Sequence, residues 1–394
     1  MKPVLPYIVI AQFLCTSLWF AGNAVISDIV TTLHLDAHFL AHLTSAIQFG
    51  FIAGTLTFAI FSIADRYSPS KVFFYCSILA GVFNLGILIP GIHATQILAV
   101  RFLTGFFLAG IYPVGMKIAS DYYKAGLGKS LGYLVGALVL GTAFPHLLKN
   151  WTNDFPWTYV ILSTSFLSII GGLCIRLFVP DGPFRTVGQR FDIAAFGKGF
   201  IKKEFRAVSI GYFGHMWELY AFWAFVPVML MAYQMHFPSV SMNIPLLSFF
   251  IIASGGPACI LGGILSQYFG ARRIATIALC TSCLCCLLSP LFLFTDTPLL
   301  FIFFLFAWAI AVIADSPLFS SLVAQNAPDE SRGSSLTIVN CIGFSITIIS
   351  IQLISSLAGQ IGARYVYMIL AIGPILGLIA LINGSKRNSG YPVS

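Results

Sequence analysis

The sequence predicts an all-α integral membrane protein whose twelve transmembrane helices form two pseudo-symmetric six-helix bundles. Three observations carry that expectation. Of the 394 residues, 58% are apolar and only 9% are charged, whereas a soluble domain carries about a quarter charged residues. The apolar residues fall into about twelve unbroken windows of roughly 20 residues, the length a helix needs to cross the hydrocarbon core. Landmarks in the first half recur in the second at a nearly constant spacing. This composition excludes a soluble enzyme, a disordered chain and a fibrous protein. The apolar runs are continuous and not alternating, which excludes a β-barrel.

The spans follow in order. The first, 5–30, opens almost at Met1 with no separate cleavage site and reads as a retained helix. The second, 38–63, ends at the polar stretch Asp65-Arg66-Tyr67-Ser68-Pro69-Ser70-Lys71, which turns the chain into the third, 71–91. The fourth, 96–120, is apolar apart from Arg101 and its last turns. The fifth, 127–149, carries Gly132, Gly136, Gly141 and Pro145, and the sixth, 156–179, runs into the longest polar stretch of the chain. That stretch (Asp181, Arg185, Gln189, Arg190, Asp192, then Lys202-Lys203-Glu204) reads as a linker over 181–205. It separates a bundle at 1–180 from one at 206–394. The seventh span, 206–234, holds His215 and Glu218. The eighth, 242–268, and the ninth, 273–294, are apolar, and the tenth, 298–325, holds Asp315. The eleventh, 332–357, holds Asn340 and Gln352, and the twelfth is 362–383.

Asp65–Lys71 is matched by Gln267–Arg273, 202 residues on. Gly110-Ile111-Tyr112-Pro113 is matched by Ala314-Asp315-Ser316-Pro317 at 204, and Gly128-Lys129-Ser130-Leu131 by Gly333-Ser334-Ser335-Leu336 at 205. A duplicated unit of this kind is a hallmark of secondary transporters. With the N-terminus in the cytoplasm, 18 of the 21 basic residues lie on the cytoplasmic side and only Lys149 and Arg364 lie outside. This positive-inside split puts both termini in the cytoplasm of a plasma (inner) membrane. It also explains the net charge of +8, so no nucleic-acid partner is expected. The expected partners are a small solute, protons and the bilayer, with the chain acting as a monomer. No cofactor or metal is expected: Cys280, Cys283, Cys285 and Cys286 lie in an apolar span and read as small hydrophobes. Gly126–Ser130 resembles the end of a phosphate loop, but Tyr123 stands where that loop needs glycine. The energy source is therefore expected to be an ion gradient.

Twelve spans, the duplication, the basic central loop and an Asp-Arg loop after the second span together resemble the major facilitator superfamily over essentially the whole chain. The loop keeps Asp65, Arg66 and Lys71, while Phe61 and Ser68 stand where the family has glycines. Its second copy keeps Gly263, Gly270, Arg272 and Arg273. Arg101-x-x-x-Gly105 with Ala109-Gly110 is similar to a second family motif, and the glycines of the fifth span to a third. The stretches at 17–25, 109–123, 214–225 and 314–324 resemble a bacterial subgroup labelled nitrate/nitrite-type transporters. The resemblance implies a transporter and not an enzyme, with two halves rocking about a central cavity. It implies a cytoplasmic gate at Asp65, facing a helix N-terminus of the other half, with Arg66 and Lys71 adding ionic bridges. For Arg101 it implies proton coupling or an ion pair lining the cavity; snorkelling to the interface is the alternative.

Ionisable groups inside a bilayer are costly and usually functional. Glu218 lies ~18 Å into the seventh span, and His215 shares its face, so the two are expected to titrate as one proton-exchanging unit. A scaffolding Glu bonded between helices is the alternative. Asp315 precedes Pro317, which loosens the backbone there; it pairs with that backbone, pairs with the Lys117–Asp121 region, or carries function. Trp223, among Trp217, Tyr220 and Phe222, either packs or holds a cation. Asn23 and Asn340 line a cavity or tie helices together, and Asp28 is expected to face water. Two buried acids and one Arg favour a small cationic or zwitterionic solute, such as an amino acid. An organic anion held by Arg101 is the alternative. The arginines with which nitrate porters hold their anion are missing from the second and eighth spans.

Overall fold

The computed structural model describes residues 4–36, 38–123, 127–152, 154–185, 191–192, 197, 199–328 and 332–385. Lys2, Lys124, Gln189, Arg190, Lys198, Lys386 and Arg387 lie outside the described residues, as do 186–190 and 193–196 of the linker.

All regular secondary structure among the described residues is helical, with no strand among them. Eleven helices are long and apolar enough to cross a membrane. They are α2 (Phe39–Ile60), α3 (Pro69–Leu88), α4 (Ala94–Tyr122), α5 (Ser130–Trp151), α6 (Thr158–Phe178) and α7 (Lys203–His236). The rest are α8 (Ile244–Phe269), α9 (Ala271–Phe292), α10 (Pro298–Asn326), α11 (Arg332–Ile361) and α12 (Val366–Gly384). The first span, α1, is expected as one continuous helix but is divided into Leu5–Thr16, Ala21–Ala24 and Ile26–Leu33. Its pieces together reach ~43 Å, enough to span.

The duplication is visible in the packing. In the first half, α1 packs on α5 and α6, α2 on α4, and α3 on α4 and α6. In the second, α7 packs on α11 and α12, α8 on α10, and α9 on α10 and α12. Each contact recurs six helices later. The halves meet along α2–α11 and α5–α8, which are again counterparts. Both α4 and α10 are interrupted: α4 consists of Ala94–Leu108 and Tyr112–Tyr122, α10 of Pro298–Ala314 and Ser316–Asn326. Pro113 and Pro317 each sit at the second position of the second piece. Proline lacks the N–H that would continue the ladder, so the break recurs where the proline does.

Close backbone approach sets the α2–α4 crossing. A Cβ on Gly50 would collide with the carbonyl of Phe102, and one on Gly105 with that of Ile47. Small residues at such crossings let helices pack by contact and not by hydrophobic drive, which lipid tails do not supply.

The two ends of the bundle differ. The basic end carries the 61–71 loop and Lys202-Lys203. At the far end the halves are tied by neutral hydrogen bonds. Thr347 Oγ1 donates to Gln48 Oε1 (2.8 Å), Gln352 Nε2 to Ser45 Oγ (2.8 Å) and Asn243 Nδ2 to Asn150 Oδ1 (2.6 Å). His38 Nδ1 lies 3.0 Å from Ser355 Oγ. Asp28, expected to face water, instead pairs with Lys149 at 2.9 Å and fastens α1 to α5.

Candidate functional site

A knot of aromatic rings fills the middle of the interface between the halves. Trp19 of α1 and Phe51 of α2 meet Phe344 of α11 with centroids 5.7 and 4.7 Å apart, and Tyr220 of α7 lies 5.8 Å from Trp19. All four are almost fully buried. Trp223 packs against Tyr220 (5.3 Å) and Phe20 (6.4 Å), and its indole N–H has no partner. The rings pack on one another and enclose no cage, so packing describes Trp223 in this state. Asn340 Oδ1 accepts from Tyr212 (2.8 Å), linking α11 to α7 while staying partly exposed. Asn23 Nδ2 donates to Thr44 Oγ1 (2.7 Å), an ordinary tie between α1 and α2.

The acids of the second half are arranged differently from the expectation. His215 and Glu218 sit one turn apart on the unbroken α7, about 60° apart around its axis. That separation sends them to different neighbours. His215 Nδ1 lies 2.8 Å from Asp315 Oδ1, and both side chains are 1% exposed. The imidazole sits between the rings of Tyr212 and Phe319, 6.2 and 6.0 Å away. Asp315 is the residue at the break in α10, which brings its carboxylate to α7. Its Oδ2 and the imidazole Nε2 have no hydrogen-bond partner.

Glu218 accepts from Trp308 Nε1 (2.6 Å), Ser282 Oγ (2.8 Å) and Cys286 Sγ (3.2 Å). The expected Glu218–His215 unit is therefore not formed: donors from α9 and α10 take the glutamate, and Asp315 takes the histidine. Nor does Asp315 reach the Lys117–Asp121 region, since Lys117 Nζ pairs with Asp65 at 2.8 Å and lies 3.9 Å from Asp121.

Arg101 is fully buried, so it does not snorkel, and its guanidinium meets no carboxylate. Nη1 donates to Leu18 O (3.1 Å) and Asn84 Oδ1 (3.0 Å), and Nη2 to Trp19 O (2.7 Å). This explains why α1 opens at residues 17–20. The guanidinium takes carbonyls that an unbroken helix would spend on its own N–H groups, and charged donors make the stronger bonds.

At the basic end, the carboxylate of Asp65 meets Lys117 of its own half, not a helix end of the other half. Past α6 the chain folds back onto the loop. Arg185 Nη2 donates to the carbonyls of Asp65 (3.0 Å) and Tyr67 (2.8 Å), while Ser68 Oγ donates to Asp181 (2.6 Å). Arg66 and Lys71 are exposed and in no ion pair among the described residues.

With this architecture in hand, known proteins can be compared. The sequence matches the profile of the Major Facilitator Superfamily over residues 8–351, and again over 208–393. The chain belongs to the major facilitator superfamily. It is a multi-pass membrane transporter and not an enzyme, and it takes a small-molecule substrate across a bilayer. No curated protein sequence matches it. Two crystal structures of a bacterial homologue of the human lysosomal transporter Spinster share the fold. The inward-facing, unoccupied one aligns over 98% of this chain and 96% of the other at 16% identity, TM-score 0.70. The inward-facing, occupied one aligns over 98% and 97% at 14% identity, TM-score 0.73. These comparisons reach the superfamily and not the nitrate/nitrite-type subgroup.

Several residues of this superfamily transporter were not singled out in the sequence. Asn84, which shares Arg101, was one polar residue in an apolar span. Gln12, fully buried with both amide atoms unpaired and lying against Gly115, was available as a polar residue inside the first span. Arg185 carried no signal beyond charge, and Lys117 was read as a candidate partner of Asp315; the fold brings both to Asp65 instead.

Proposed function

We propose that the chain moves a small cationic or zwitterionic, amino-acid-like solute by alternating access, coupled to protons. The observation that carries this reading is the buried His215–Asp315 pair at the break in α10. A histidine and a carboxylate in contact can take up or release one proton, alternating between net charge zero and −1. The unpartnered Asp315 Oδ2 is a place for an ammonium group. The organic-anion alternative is weaker, because the guanidinium of Arg101 is already committed to backbone and Asn84.

The halves at 1–180 and 206–394 rock against each other. Hydrogen bonds at the far end and the aromatic knot favour a state closed on that side. In the opposite state Asp65 meets a helix N-terminus of the other half, where the helix dipole favours a carboxylate, and Arg66 and Lys71 add bridges. The basic end faces the cytoplasm of a plasma (inner) membrane, an orientation that the 18:2 charge split supports. A cysteine at Gln189 should escape an impermeant thiol reagent in intact cells; efficient labelling would overturn the orientation.

The first experiment is a thermal-shift screen of amino acids on the purified protein, because a ligand that binds the native state stabilises it by mass action. The best hit is then tested in proteoliposomes for uptake driven by a pH gradient. Stabilisation only by organic anions, or uptake indifferent to the gradient, would contradict the proposal.

A further inference from the structure

Where α2 ends and α3 begins, a cleft of about 450 Å³ opens at the basic end. Phe58, Ile63, Val72 and Tyr75 give it an apolar wall, and Arg66 and Lys71 give it two cations. No carboxylate lines it. The acids nearby are already occupied: Asp65 by Lys117 (2.8 Å), and Asp181 by Arg185 (3.1 Å) and Ser68 (2.6 Å). That leaves Arg66 and Lys71 without an ion pair among the described residues, above the N-terminal turn of α3, where the helix dipole also favours an anion.

The cleft faces the bilayer. Tyr75, Leu79 and Val82 form one outward stripe of α3, spaced by four and three residues and 61%, 39% and 50% exposed. Ile60 and Phe61 at the end of α2 are also exposed. Exposed Tyr67 and Tyr75 flank the site at the depth where amphipathic rings favour the headgroup region. A ligand here must carry a negative head and a long apolar tail.

We propose that this cleft binds an anionic phospholipid from the leaflet bordering the 61–71 loop. The phosphate lies between Arg66 and Lys71, and an acyl chain follows Phe58, Ile63, Val72 and Tyr75 down the outer face of α3. Basic sites at helix ends attract anionic lipid headgroups, with a measurable contribution from each cation. The lipid holds the loop in place next to Asp65.

The test is native mass spectrometry of the full chain after equilibration with equal amounts of phosphatidylglycerol and phosphatidylcholine. Wild type should retain phosphatidylglycerol preferentially. Arg66→Gln/Lys71→Gln should lose that preference roughly tenfold. Neither side chain makes a hydrogen bond or ion pair among the described residues, so the melting temperature should hold. Lys202→Gln/Lys203→Gln removes the same charge from the same end outside the cleft and should leave the preference intact. Equal retention of the two lipids by wild type, an unchanged preference in Arg66→Gln/Lys71→Gln, or an equal loss in the two double variants would each overturn the site. Displacement of the bound lipid by millimolar inorganic phosphate would reduce it to a small-anion site and overturn the lipid assignment.

Discussion

The two halves share one packing scheme and differ in the charged groups they bury completely. The first half encloses Arg101, whose partners are two backbone carbonyls and Asn84. The second encloses Glu218, which three side chains satisfy, and the His215–Asp315 pair, whose Nε2 and Oδ2 stay unpartnered. At the 204-residue spacing that relates α4 to α10, the counterpart of Arg101 is Leu305. The backbone follows the charge: α1 is opened at the turn that faces Arg101, while its counterpart α7 runs unbroken from Lys203 to His236. A duplicated scaffold is thus divided into a half braced by a buried cation and a half that holds two fully buried acids. The breaks in α4 and α10 belong to the scaffold, since both halves have them. Only the second break carries an acid.

The largest expected effect tests the brace. Arg101→Met should strip the charged donor from two carbonyls and from Asn84 Oδ1 in a dry interior. Removing one member of a buried charged network typically costs about 3–5 kcal/mol. The melting temperature should fall sharply, and Arg101→Lys should recover only part of it, because an ammonium lacks the planar fork. A Met variant as stable as wild type would remove the stated reason for the opened α1.

The next effect tests the acid half. Glu218→Gln places an amide N–H₂ among three donors, and leaving one buried partner unsatisfied costs about 1–3 kcal/mol. Stability, counterflow and uphill transport should fall together. If counterflow survives at the wild-type level while uphill transport is lost, Glu218 itself carries the proton, and the division of labour between Glu218 and Asp315 is reversed. The smallest effect is at the loop. Asp65 and Lys117 are 23% and 21% exposed, so Asp65→Asn should cost about 0–1 kcal/mol of stability, a difference erased by high salt. Its turnover should fall further than its affinity for solute. Unchanged transport would leave Asp65 as a surface pair.

The fold was legible because membrane spans are written in long apolar runs, and the duplication in landmarks that survive as prolines and glycines. Pro113 and Pro317 marked both helix breaks. The opened α1 was not legible: the guanidinium that takes its carbonyls lies some 80 residues away in Arg101, and Ser17 and Gly22 alone are too weak a signal to place a break. The buried ionisable residues were legible one by one, because their presence in a span is costly. Their pairings were not. Sequence spacing put His215 beside Glu218, and the shared face was real, but Trp308, Ser282 and Cys286 come from helices whose position only the packing decides. The aromatic knot was equally hidden, since Phe is common along the whole chain and nothing in the sequence marks the few rings, among them Trp19, Phe51, Tyr220 and Phe344, that meet across the interface.

The central claim is that the acid half carries proton coupling through Asp315 and His215. Asp315→Asn tests it most directly, measured in proteoliposomes with the solute identified by thermal shift. Uphill uptake driven by a pH gradient and equilibrium counterflow are recorded on the same preparation. The proposed mechanism predicts that uphill accumulation is abolished while counterflow, which needs no net proton movement, continues. Accumulation by Asp315→Asn at the wild-type level would contradict it.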